Sequence, residues 1–142
     1  MKDAWILAPL LVQVLLTIVM YIRLVGAKKR AVAAGEVDEA RRALHDDAWP
    51  DYVLQINNNI RNQFEVPVLF YVVSFGLLAL QKADIAAQAL AWLFVLSRIA
   101  HAVVHTGSNF VPLRRRIFTA GVLLVLAMTL LCGIRLALSM LP

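Results

Sequence analysis

Asn57–Tyr71 reads NNNIRNQFEVPVLFY and holds the decision about the fold. Polar residues (Asn57, Asn58, Asn59, Arg61, Asn62, Gln63, Glu65) give way abruptly to the apolar run Val66–Leu80, whose one polar side chain is Ser74. A helix needs about 20 residues to cross the hydrocarbon core of a bilayer. The apolar run alone is shorter than that, so a spanning helix reaches back to about Arg61 and carries Glu65 into the membrane. On such a helix Asn58, Asn62 and Glu65 share one face, with Arg61 one turn before Glu65. Two readings stand side by side. An ionisable group at that depth marks a functional site, or Arg61 and Glu65 neutralise each other in a polar cap.

The whole composition places this stretch in a membrane. Of 142 residues, 61% are hydrophobic and 16% charged, against about half and a quarter in soluble domains. The length allows one domain, residues 1–142. The net charge of +5 does not indicate a nucleic-acid partner, because the basic residues cluster at the ends of apolar runs, where headgroups and membrane orientation use them. The single cysteine, Cys132, lies in an apolar run and offers neither a disulfide nor a cysteine metal site.

Outward from the central stretch, four spanning helices are predicted at about 4–25, 57–80, 85–106 and 117–138. The first apolar run is longer than a signal-peptide core, and basic residues follow it instead of preceding it. Residues 26–55 form a hydrophilic loop, with a short surface helix over Glu36–Leu44 and a turn-rich approach through Asp46, Asp47 and Pro50. Trp49 and Tyr52 suit a membrane interface. Pro67 frees the carbonyl of Gln63 and predicts a kink beside Glu65. The third helix is purely apolar only over Ile85–Leu96 and must continue through Arg98, His101 and His105, which share one face.

Lys and Arg residues crowd the loops at 26–55 and 107–116, whereas Lys2, Lys82 and Arg135 mark the opposite side. The positive-inside rule then puts both basic loops in the cytoplasm and both termini outside. Glu65 and Arg98 each lie about 8 residues, ~12 Å, from the cytoplasmic ends of their helices. Matched depth makes them the expected ion pair. The pocket around Asn62, Glu65, Arg61, Arg98, His101 and Arg114 offers arginine forks for carboxylates, a carboxylate for an ammonium and amides for a peptide. A small zwitterion with several carboxylates fits, and an arginine above it would favour a thiolate over a thiol. His101, His105 and Glu65 would make only three metal ligands, and no metal is assigned. A proton pathway along Glu65, Arg98 and His101 is the rival use.

Arg61-Asn62-x-x-Glu65 followed by Pro67 and an aromatic-rich span resembles the signature of the MAPEG superfamily, the membrane-associated proteins in eicosanoid and glutathione metabolism. SRIAHAVVHTGSNFVPLRR (residues 97–115) is similar to that family's Arg-x-x-His stretch and later Pro-x-Arg. The likeness runs from about Met20 to Thr119, and NQFEVPVLFY looks closest to bacterial members. It implies an all-α integral membrane four-helix bundle assembled as a homotrimer in a bacterial inner membrane. Glutathione would be the co-substrate, held between subunits by Arg61, Asn62, Glu65, Arg98 and His101, with Arg114 activating its thiol. The reaction implied is transfer to, or peroxide reduction of, a lipophilic small molecule. Departures are specific. His105 and Phe118 stand where eicosanoid-synthesising members often carry tyrosines, Phe110 where an arginine is expected, and Arg115 where a small hydroxyl residue is. Prostaglandin or leukotriene synthesis is therefore not implied. The alternatives are a non-catalytic protein holding a small anion or lipid headgroup in the same pocket, and a proton-coupled transporter.

Overall fold

The computed structural model describes residues 2–141, which are helical apart from their connections, with no strand among them. A 3-10 turn over Lys2–Ile6 leads into α1 (Leu7–Ala33); α2 (Asp51–Gln63), α3 (Val66–Ala79), α4 (Ile85–Thr106) and α5 (Val111–Ser139) follow. Four helical stretches are long and apolar enough to cross a membrane, with α2 and α3 together making one of them. Large apolar side chains along α1, α3, α4 and α5 remain exposed, among them Leu15, Val72, Leu96 and Leu126. Such a surface suits hydrocarbon.

Several boundaries differ from those expected, each for a local reason. The first helix does not stop near residue 25. AKKRAVA continues it, being rich in strong helix formers, and Ala31 is fully buried against α2. Lys28 stacks over Trp49 at 4.6 Å and Arg30 over Tyr52 at 4.1 Å, so these aromatics hold cations. Gly35, at φ +69°, then ends α1: Glu36 N–H donates to Ala31 C=O and Gly35 N–H to Val32 C=O. Glu36–Leu44 is not an α-helix but a series of turns built on Asp38, because the segment is short and mostly exposed.

The second helix starts at Asp51 directly after Pro50, not at Asn57. Val53, Ile56 and Ile60 make a buried stripe at helical spacing against α1. At its other end the expected kink is a complete break. Pro67 falls in the first turn of α3, where its missing N–H costs nothing, and Phe64 and Glu65 sit between the two helices with Glu65 at φ −97°, ψ −100°. The last helix begins at Val111, not Ile117, because Pro112 starts it and its first turns include Arg114–Arg116.

Packing is heaviest between α4 and α5. Gly121 allows the approach, since a Cβ there would lie 3.2 Å from Ser97 Oγ. One apolar cluster (Leu10, Phe70, Leu77, Phe94, Met128) fills the end near the termini, and another (Met20, Leu24, Val53, Ile56, Ala102) fills the end near the basic loops. Along α1 and α4 the residues between these clusters are polar and buried: Gln13, Arg98 and His101.

Candidate functional site

The third span has to bury polar side chains because its apolar portion is too short, and α4 does so with Arg98, His101 and His105, all at most 4% exposed. Arg98 donates from Nη2 to the carbonyl of Asn62 at 3.0 Å. That carbonyl lies in the last turn of α2, where helical donors run out. Its Nε and Nη1 are buried without a partner, and the guanidinium carbon lies 5.7 Å from the Phe118 ring centre. His101 Nδ1 is likewise buried and unpartnered. Buried donors are almost always satisfied, so this concentration of unmet hydrogen-bonding capacity points to a ligand.

A cleft of about 240 Å³ opens beside these groups, lined by Asn62, His101, Val111, Arg114, Arg115 and Phe118. It joins α2, α4 and α5 at the basic end of the bundle. Arg114 is fixed at its rim by a 2.6 Å hydrogen bond from Nη1 to Asn109 Oδ1. Asn109 takes the left-handed conformation at φ +49°, which asparagine tolerates. The preceding turn needs Gly107, since a Cβ there would lie 2.8 Å from the Val103 carbonyl oxygen. Cations dominate, and no ion pair engages Arg98, Arg114 or Arg115 among the described residues.

The structure therefore brings together Asn62, Arg98, His101 and Arg114 from the expected set, while Arg61 and Glu65 do not line the cleft. Arg61 is exposed and ion-paired with Asp46 in the loop before α2. Glu65 is exposed in the break between α2 and α3. The expected Glu65–Arg98 ion pair is not formed. Matched depth assumed one continuous helix; with the break after Gln63, Glu65 is exposed and stays beyond ion-pair distance of Arg98, although its charge still acts on the guanidinium. His101 and His105 meet edge-on at 5.3 Å, and no cluster of three or more metal-ligating side chains occurs among the described residues.

Sequence reasoning missed Gln13, Asn59 and Gln63 as a set. Gln13 is fully buried and donates to Gln63, which donates to Asn59. The available signal was a lone glutamine inside an apolar run, which in lipid must find a partner on another helix.

Among known proteins, the family model that matches is that of the MAPEG family, over residues 6–134. No curated protein and no solved structure matches the chain.

Proposed function

The chain belongs to the MAPEG family of membrane proteins, and on that premise we propose a glutathione-dependent transferase or peroxidase acting on a lipophilic electrophile. The observation that carries the reading is the buried Arg98 guanidinium with two unpartnered nitrogens, Nε and Nη1, beside a cleft rimmed by Arg114 and Arg115. Free cationic donors in a dry setting call for an anion, and their fork geometry favours carboxylates. Glutathione has two carboxylates, a peptide backbone and a thiol. Asn62, Arg98 and His101 would hold its polar groups, and Arg114 would stand near the sulfur, where a fixed cation favours the thiolate. Arg61 and Glu65 lie outside this cleft within one chain. In a homotrimer, with the ligand between subunits, they would contact it from outside the single-chain cleft. The basic loops at 26–55 and 107–116 face the cytoplasm of a bacterial inner membrane in this reading, and the electrophile enters from the bilayer.

The test is glutathione binding to the purified protein in detergent, followed in the ultraviolet for thiolate absorbance near neutral pH. Binding with a thiolate band that Arg114→Ala removes, while affinity falls only modestly, supports the assignment. A band that survives Arg114→Ala places activation elsewhere. A second reading is favoured by Phe118 and His105, which leave no hydroxyl in that part of the site: the chain binds a small anion without turnover. Glutathione binding with no turnover of a generic electrophile would select it.

A further inference from the structure

Between the two apolar clusters a thread of side-chain amides crosses from α1 through α2 to α4. Gln13 Nε2 donates to Gln63 Oε1 at 2.7 Å, and Gln63 Nε2 donates to Asn59 Oδ1 at 3.1 Å. Asn59 Nδ2 then approaches His105 Nδ1 at 3.5 Å, and Asn62 Nδ2 approaches the same nitrogen at 3.4 Å. Gln13, Asn59, Gln63 and His105 are all buried. None of them lines the cleft.

The order of links fixes the chemistry at the far end. Each amide has one accepting oxygen and one donating NH2 group. With Asn59 Oδ1 turned to Gln63, the NH2 group of Asn59 is what faces the ring. Two NH2 groups then converge on one imidazole nitrogen, and only a nitrogen without a proton accepts from both. A doubly protonated ring would set N–H against N–H at that point. Each contact to the ring is long, so the hold comes from their number and from the dry surroundings that strengthen a connected network.

We infer that Gln13, Gln63 and Asn59 are positioning residues that hold His105 as the neutral tautomer with its proton on Nε2, a fixed hydrogen-bond donor behind His101, whose ring it meets and which itself lines the cleft. A donor of this kind takes an acceptor: a carbonyl or carboxylate oxygen, or a thiolate sulfur. Its effect on a ligand rests on the glutathione reading above; the tautomer does not.

The experiment uses the full chain labelled with 15N-histidine in detergent, with His45 and His101 assigned by substitution. Ring-nitrogen chemical shifts report which nitrogen carries the proton. The expected result is a bare Nδ1 and a protonated Nε2 at His105. A protonated Nδ1, or an even mixture, overturns the inference. Gln63→Leu breaks both middle links and should move the tautomer ratio roughly tenfold, the equivalent of one ordinary buried hydrogen bond. An unchanged ratio overturns the relay, and Gln13→Leu repeats the test at the outer end should Gln63→Leu fail to fold. In binding, Gln63→Leu and His105→Leu should each weaken glutathione several-fold, the double variant should lose no more than either alone, and His105→Gln, which keeps a donor at the same reach, should recover part. Fully additive losses overturn the positioning role. Wild-type protein that binds no glutathione overturns the proposed function, while the nitrogen spectrum still decides the tautomer.

Discussion

Arg98→Met should make the ligand-free protein more stable while destroying its affinity for an anion. The side chain is 1% exposed, and its Nε and Nη1 have no partner. A buried unsatisfied polar group costs about 1–3 kcal/mol, so the two together cost ~4 kcal/mol. Against this stands one charge-assisted hydrogen bond to the Asn62 carbonyl, worth about 1.5–3 kcal/mol. Methionine keeps most of the volume against Phe118 and lets the penalty lapse. The difference is a gain of roughly 2 kcal/mol, in line with replacements of buried charges by apolar residues of similar size. At about 2–4 °C per kcal/mol for a chain near this length, the midpoint should rise by ~5 °C. Tryptophan fluorescence during heating in detergent reads it. Glutathione should then raise the midpoint of wild type by mass action but not that of Arg98→Met. A ligand-free variant less stable than wild type by more than about 2 kcal/mol would mean the guanidinium N–H groups are satisfied. Those groups would then not be waiting for a ligand.

Orientation is testable with single cysteines in a Cys132→Ser background: positions Ala33 and Ser108 should resist an impermeant thiol reagent in intact cells, and Lys82 should react. Lys82 is the probe on that side because it is exposed, whereas the neighbouring Ala83 is fully buried; the opposite labelling pattern would invert the topology. Asp84 caps α4 through Ala87 N–H and pairs with Arg135 of α5. Asp84→Ala should cost about 1 kcal/mol for the cap and less than about 1 more for the half-exposed pair; Asp84→Asn, which still caps, should lose only the pair, and equal losses would show that the cap contributes nothing. Arg41 donates to both carboxylate oxygens of Asp47 and holds that carboxyl below its ordinary 3.8. The lowered folded-state value makes its contribution present above the ordinary carboxylate range and lost as pH falls through the lowered value. Carboxyl NMR should show the low titration in wild type and the ordinary one in Arg41→Ala.

The sequence by itself determined the membrane class, the four spans and the polar stripe on α4. These follow from quantities local to the chain: run lengths against bilayer thickness, and the 3.6-residue period that puts Arg98, His101 and His105 on one face. It also placed Pro67 correctly as a disruption beside Glu65, and the family signature was legible in the same residues. What the tertiary structure alone decided is which polar groups meet. A proline can bend a helix or end it, and that choice depends on whether neighbouring helices satisfy the freed backbone. Here the helix ends at Gln63, so Glu65 sits exposed in the break and makes no ion pair with Arg98, and Arg61 finds Asp46 instead. The Gln13–Gln63–Asn59 thread was equally out of reach, since its first two members lie 50 residues apart and meet only when α1 packs on α2. Helical periodicity fixes the face a side chain occupies; its partner across the bundle is fixed by how the helices are turned and spaced, which no single segment encodes.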